Sequence, residues 1–168
     1  ARVESTRLPD KVSIEVLGKT LLQHLLERLS RSRRIDKIVL AIPSSPRNDK
    51  LEKVADFVGV DVYRGSETDL LDRYFQASEL YKPEIVVRIT ADCPMIDWTV
   101  VDEAVDEFLN DSGNIYVGTG LTFPDGADVQ VFSRIALESS HEEATSPYDR
   151  EHVCPIIIRE AGKKVRYI

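Results

Sequence analysis

The sequence has 168 residues, of which 42% are hydrophobic and 30% are charged, and its formal net charge is −7 at pH 7. This length suits one domain with its own core, and the acidic balance argues against nucleic-acid or membrane binding, which needs a basic surface. Apolar runs are shorter than the ~20 residues of a membrane span, no secretory signal is visible and two cysteines provide no disulfide framework, so we expect a cytoplasmic protein.

The chain opens with a cationic segment, ARVESTRLPDK (1–11), that suits neither a continuous helix nor a continuous strand. Pro9 fixes its own φ and favours an extended Leu8, which predicts an ordered loop. Guanidinium and ammonium groups suit phosphate oxygens, so such a loop in an acidic chain predicts a phosphate site. The alternative is an ordinary solvated turn with surface ion pairs. The polar candidates of this loop are Arg2, Ser5, Thr6, Arg7 and Lys11.

Strands and amphipathic helices alternate along the rest of the chain. The predicted strands are 12–17, 35–42, 60–63, 84–90 (a buried strand), 114–118, 127–132 and one beginning at 165. The predicted helices begin after 18–20 and occupy 49–58, 69–81, 97–110, 133–141 and 148–160, the last of them bent or restarted at Pro155.

This order predicts an α/β fold: a three-layer, doubly wound and mostly parallel sheet with helices on both faces, in a single domain over residues 1–168. The sequence starts at Ala1 with little room for a first strand, and 165–168 resembles a strand cut short. We expect part of the first strand and a C-terminal segment to lie outside this sequence.

Ligands of such sheets bind at the carboxyl ends of the strands. The cationic loop, Arg64-Gly65-Ser66 and Thr90-Ala91-Asp92 all fall at that edge, which brings cations and a carboxylate together. Cationic side chains together with a carboxylate that can hold Mg²⁺ suit phosphate chemistry, so this edge of the sheet is a candidate phosphate site. The alternatives are a carboxylate favoured by a helix dipole at Asp92 and a simple turn at Gly65-Ser66.

Six motifs, in order along nearly the whole chain, resemble the cytidylyltransferases that make CMP-activated acid sugars. They are most similar to the branch of spore-coat polysaccharide biosynthesis proteins, with acylneuraminate and Kdo cytidylyltransferases as relatives. The motifs are ARVESTRLPDK (1–11), LGKTLLQHLLERL (17–29), YRGSETDLLDRY (63–74), VVRITADCPMID (86–97), FPDGADVQVF (123–132) and SPYDREHVCP (146–155).

The resemblance implies a Rossmann-like fold of the nucleotide-diphospho-sugar transferase type. It implies transfer of CMP from CTP to a sugar acid or related cell-surface sugar, with release of pyrophosphate, in surface polysaccharide biosynthesis. It also implies a Mg²⁺ cofactor and a homodimer. Two other functions remain open: a glycosyltransferase of the related nucleotide-sugar-binding fold, and a non-catalytic nucleotide-binding module. The former normally holds its metal with Asp-x-Asp, whereas Pro94 stands two positions after Asp92.

The resemblance also implies roles for single residues. It places Arg2, Arg7 and Lys11 on the triphosphate, with Ser5 and Thr6 binding phosphates or holding the loop. It places four residues around the nucleoside: Arg64, Gly65, Ser66 and Thr90. It makes Asp92 the magnesium ligand, and Lys11, Arg7 and Asp92 the catalytic groups.

Asp125 and Asp128 are candidates for the sugar site or for a metal. The resemblance places the stretch around Arg150 and His152 on the acceptor side, where Arg150 could meet a carboxylate and His152 a hydroxyl. An Asx turn explains Asp125 equally well, and a helix-surface ion pair with a packed imidazole explains Arg150 and His152. The chain departs from the family pattern at two positions, since Asp10 stands where Gly is usual and Gln130 where Glu is frequent. A second magnesium aspartate of the family is expected beyond residue 168.

Overall fold

A computed structural model describes residue 1 and residues 8–168 of the chain. Within these residues the strands are β1 (Glu15–Val16), β2 (Lys19–Thr20), β3 (Val39–Pro43), β4 (Asp61–Gly65), β5 (Ile85–Ile89), β6 (Tyr116–Gly118), β7 (Val129–Ser133) and β8 (Val165–Tyr167). The α-helices are α1 (Leu21–Leu29), α2 (Asp49–Val58), α3 (Leu70–Tyr81), α4 (Trp98–Asn110), α5 (Arg134–Glu143), α6 (Pro147–His152) and α7 (Pro155–Ala161).

Side-chain caps determine where several helices begin. The side chains of Asp69, Asp97 and Ser133 each accept a backbone N–H from the first turn of α3, α4 and α5. At the other end of α2, Gly59 adopts a left-handed conformation with φ 81°, which ends the helix.

The larger strands form two hydrogen-bonded groups. β3 and β4 are parallel, and a four-stranded sheet has the order β5-β7-β6-β8. β8 runs parallel to β6, whereas β7 is antiparallel to both β5 and β6. The α/β class is confirmed, and the four-stranded sheet is mixed because a loop, not a helix, connects β6 to β7.

One predicted element differs in detail, and the restart predicted at Pro155 is confirmed. The predicted strand 12–17 is a 3₁₀ turn at Lys11–Ser13 followed by the hairpin β1–β2, which turns at Leu17 (φ 53°) and Gly18 (φ 76°). The predicted helix 148–160 is two helices, because Pro155 lacks the N–H that a continuing helix would use.

Apolar clusters cover both faces of the sheet. One cluster packs α1, α2 and α4 against Ile85, Val87 and Ile89 of β5, and the other packs α3, α5 and α7 against the intervening Val86. Successive side chains of β5 thus face helices on opposite sides of the sheet, which confirms the predicted three layers of helix, sheet and helix. No helix among the described residues is long and apolar enough to cross a membrane.

A groove of about 650 Å³ separates β3 from β5. Side chains of α1, α3 and α4 line it, and the α-amino group of Ala1 donates to the Ala41 carbonyl 2.8 Å away at β3. Every residue of β5 is therefore only partly buried, whereas the sequence predicted a buried strand.

Candidate active site

Lys11 and Asp92 meet at the carboxyl end of β5. Lys11 begins the 3₁₀ turn Lys11–Ser13, and Asp92 lies in the loop that follows β5. The Lys11 Nζ atom lies 2.5 Å from Asp92 Oδ2, and the two side chains are 31% and 43% exposed. The predicted convergence of the amino-terminal segment with the acid at position 92 is present for this pair, which solvent and ligands can reach.

Hydrogen bonds keep Asp92 ionised. Burial alone would raise the pKa of Asp92, but donors from Lys11 and Thr90 outweigh it, so that the pKa is lowered. A partly exposed carboxylate beside an ammonium group suits Mg²⁺ that also takes phosphate oxygens from a substrate. In residues 1 and 8–168, no group of three or more His, Cys, Asp and Glu side chains forms a ready-made metal cage.

A short polar cluster continues from Asp92 towards β7. The Thr90 Oγ1 and Cys93 Sγ atoms are 2.9 Å apart, and Cys93 Sγ lies 3.9 Å from Asp128 Oδ2. Burial raises the pKa of the Cys93 thiol, so that it stays protonated at neutral pH. Asp128 is exposed just before β7 and joins the carboxyl edge of β5, whereas Asp125 lies in an exposed turn closed by the bond from Ala127 N to Pro124 O.

The Arg64-Gly65-Ser66 segment follows the carboxyl end of β4. The Arg64 guanidinium binds Asp49 Oδ1 at 2.6 Å and Glu52 Oε2 at 2.5 Å, which holds it against α2. A Cβ atom at Gly65 would lie 2.7 Å from Tyr63 Cε1, so any larger residue here would force the Tyr63 ring to move. Ser66 Oγ accepts the Asp69 backbone N–H at 3.1 Å and so supports the start of α3.

Arg73, which the sequence analysis missed, stabilises the segment after β4 through hydrogen bonds to its backbone. Its side chain is 2% exposed, Nε donates to the Ser66 carbonyl at 2.7 Å and Nη2 donates to the Glu67 carbonyl at 3.2 Å. The available signal was spacing: Arg73 lies three residues after Leu70 and four before Ala77, on the inner stripe of α3. A charged residue on the buried face of a helix indicates a side chain that hydrogen-bonds to other buried polar groups.

The Asp10 carboxylate pairs with Lys50 and not with a group of the Lys11–Asp92 site. Asp10 adopts φ 58°, and its Oδ1 atom lies 2.7 Å from Lys50 Nζ. The left-handed φ gives a physical reason for glycine at this position in the family pattern. In this chain Asp10 adopts the left-handed conformation despite its steric cost, and its carboxylate is paired with Lys50, outside the Lys11–Asp92 site.

The two acceptor candidates of α6 have different surroundings. Arg150 donates to the carbonyls of Ala144 and His141, both at 3.0 Å, and lies 3.3 Å from Asp69 Oδ2. These contacts join α6 to α5 and α3, as the ion-pair alternative expects. His152 is exposed and its ring lies 4.4 Å from that of Tyr148.

Four of the predicted phosphate-binding residues lie outside the described residues: Arg2, Ser5, Thr6 and Arg7. Their assignments stay predictions.

The chain belongs to the cytidylyltransferase family, whose profile matches residues 1–167. It is 33% identical over 165 residues to the spore coat polysaccharide biosynthesis protein SpsF of Bacillus subtilis, covering 90% of this chain and 68% of that protein. It is 31% identical over 107 residues to 3-deoxy-manno-octulosonate cytidylyltransferase of Geobacter sulfurreducens, covering 62% of this chain and 41% of that protein.

A solved structure gives the same result. The structure of a cytidylyltransferase from Leptospira borgpetersenii matches 99% of this chain and 72% of its own, with a TM-score of 0.94 and 36% identity. The chain spans between 41% and 68% of the length of the first curated relatives that it matches. The resemblance identified from the six motifs is confirmed.

Proposed function

We propose that this protein transfers CMP from CTP to a sugar acid, with release of pyrophosphate, in the synthesis of a surface polysaccharide. The observation that carries the proposal is the contact between Lys11 and Asp92 at the carboxyl end of β5. It puts a mobile cation and an ionised carboxylate at the edge where α/β sheets bind nucleotides. The family match and the names of the relatives supply the base and the kind of acceptor.

The reaction needs no side-chain nucleophile. A hydroxyl oxygen of the acceptor forms a bond to the α-phosphorus of CTP, the bond from that phosphorus to the bridging oxygen breaks, and pyrophosphate leaves with the electron pair. The hydroxyl proton passes to solvent or to a phosphate oxygen. Positioning and charge neutralisation supply the rate enhancement, as in other phosphoryl-type transfers.

The described residues divide this work. Lys11 neutralises negative charge on the phosphates, and Asp92 would hold Mg²⁺ together with phosphate oxygens. Bound Mg²⁺ supplies a positive charge that stabilises the charge developing on the phosphates. Arg73 fixes the carbonyls of Ser66 and Glu67, which keeps the segment assigned to the cytosine in place. Homodimer formation and a cytoplasmic location belong to the same proposal.

Nucleotide titration with an enzymatic readout tests the function. We expect Mg²⁺-dependent binding of CTP in preference to UTP and GTP, followed by pyrophosphate release when 3-deoxy-manno-octulosonate or N-acetylneuraminate is added. Preference for a UDP-sugar would favour a glycosyltransferase instead. Absence of any Mg²⁺-dependent nucleotide binding would favour a non-catalytic module.

A further inference from the structure

Arg88 lies deeper in the sheet than the Lys11–Asp92 pair, on the same side as Thr90. It belongs to β5 and stands directly opposite Gln130 of β7 in the antiparallel register. Arg88 and Thr90 are two residues apart, so their side chains leave the same face at a separation of about 7 Å along the strand. Arg88 is only partly buried. Arg88 is therefore the residue that precedes Thr90 on this face of β5, close to its carboxyl end.

The charge of Arg88 has only neutral partners in the described part of the chain. Its Nη1 atom donates to the side-chain oxygen of Gln130, and its guanidinium carbon lies 5.8 Å from the centre of the Tyr74 ring. Its Nε atom is buried and has no hydrogen-bond partner. No carboxylate among the described residues forms a salt bridge with it at 4.0 Å or less. A cation with a buried, unused donor in such surroundings is costly unless an anion binds it.

The groups around Arg88 do not provide that anion. Burial raises the pKa of the Cys154 thiol to about 12, and burial also raises the pKa values of Tyr74 and Tyr116, so all three are neutral at physiological pH. The Cys154 thiol donates to the same Gln130 oxygen at 3.3 Å. The amide oxygen that faces Arg88 is therefore already shared between two donors.

We propose that Arg88 binds the carboxylate of the acceptor and thereby selects an acidic sugar. This inference rests on the proposed function and names the residue that determines its acceptor class. A guanidinium group offers a planar pair of donors that matches the two oxygens of a carboxylate, and Arg88 has no carboxylate partner among the described residues. Lys11 and Asp92 bind the phosphates of CTP at the edge of the sheet. Arg88, which lies deeper, is then available for the carboxylate of the acceptor.

The neutral side chain of Gln130 keeps this binding group available. Glutamate, which is frequent at position 130 in the family pattern, would face Arg88 from the opposing strand and pair with it, so the proposed role of Arg88 depends on the Gln130 of this chain. Glutamate has nearly the same size as glutamine, so Gln130→Glu should preserve the fold while it competes with the acceptor. Weaker acid binding by a folded Gln130→Glu protein would therefore report on the availability of Arg88 and not on unfolding.

The test measures binding rather than turnover. The protein is saturated with Mg²⁺ and the non-hydrolysable cytidine 5′-(α,β-methylene)triphosphate, and 3-deoxy-manno-octulosonate, N-acetylneuraminate and their methyl esters are titrated by calorimetry. The ¹⁵N–¹H resonance of Arg88 Nε, assigned by its loss in Arg88→Met, is followed in parallel. We compare the wild type with Arg88→Met, Gln130→Glu and a control, Arg134→Gln, which removes a surface arginine paired with Glu79.

We expect at least one of the two acids to shift the Arg88 resonance and to bind at least tenfold more weakly to Arg88→Met and Gln130→Glu. The esters should bind equally weakly to all four proteins, and the control should match the wild type. The inference is overturned if neither acid binds, or if an acid binds wild type and Gln130→Glu equally. It is also overturned if pyrophosphate or the nucleotide alone shifts the resonance and the acids do not, which would make Arg88 a phosphate ligand. Failure of the nucleotide to bind contradicts the proposed function instead, and the acid titration without nucleotide still decides the role of Arg88.

Discussion

Replacing Lys11 with alanine separates catalysis from stability. The ion pair with Asp92 joins side chains that are 31% and 43% exposed. Exposed pairs of this kind contribute ~0–1 kcal/mol to the free energy of unfolding, because solvent screens them. In a domain of this size, a loss of 1 kcal/mol lowers Tm by about 2–4 °C. We therefore expect Lys11→Ala to unfold almost as the wild type does.

Turnover should respond much more strongly to the same change. Removal of one preorganised group that stabilises transition-state charge typically costs ~10²–10³-fold in kcat. The assay is Mg²⁺-dependent pyrophosphate release from CTP with a sugar acid, alongside thermal unfolding. We expect Lys11→Ala to lose about two to three orders of magnitude in kcat on that basis, with a small change in Tm.

Lys37 provides a matched control. Its Nζ atom lies 2.5 Å from Asp61 Oδ2, at the amino end of the β3–β4 pair, and the side chains are 53% and 45% exposed. Lys37→Ala thus removes the same charge and a pair of the same length at the other end of the strands. Equal pyrophosphate release by Lys11→Ala and Lys37→Ala would refute the role of Lys11, as would a large loss of stability in Lys11→Ala that accounts for its lower turnover.

Two further predictions concern stability. Arg73→Met leaves the Ser66 and Glu67 carbonyls without a charged donor and should cost about 2–4 kcal/mol in urea unfolding, with partial recovery in Arg73→Lys; a loss below about 1 kcal/mol would contradict the buried tether. The pKa of Glu79 is lowered, chiefly by the hydrogen bond from Lys82, with Arg134 adding to it, so its stabilising effect is complete above pH 4.5 and is lost as the pH falls through the lowered pKa. Urea midpoints of wild type and Glu79→Gln should therefore differ most at neutral pH and converge below pH 4.5, and a constant difference down to pH 2 would disprove the linkage.

The helices and their ends could be predicted from the sequence because their causes are local. α2, α3 and α4 depend on an apolar repeat of 3.6 residues and on caps such as Asp97 and Gly59, which act on backbone groups within a few positions. The six motifs likewise identify the family, since each is a contiguous stretch of chain.

The arrangement of the candidate site depends on tertiary structure, because its contacts join distant parts of the chain. The Lys11–Asp92 pair spans 81 residues, and only the folded sheet edge brings the two together. Local sequence does not determine that Arg88 faces a neutral amide, because strand pairing sets which residue of β7 stands opposite it. The antiparallel course of β7 follows from how strands associate across the sheet, and periodicity within one strand carries no information about its neighbours.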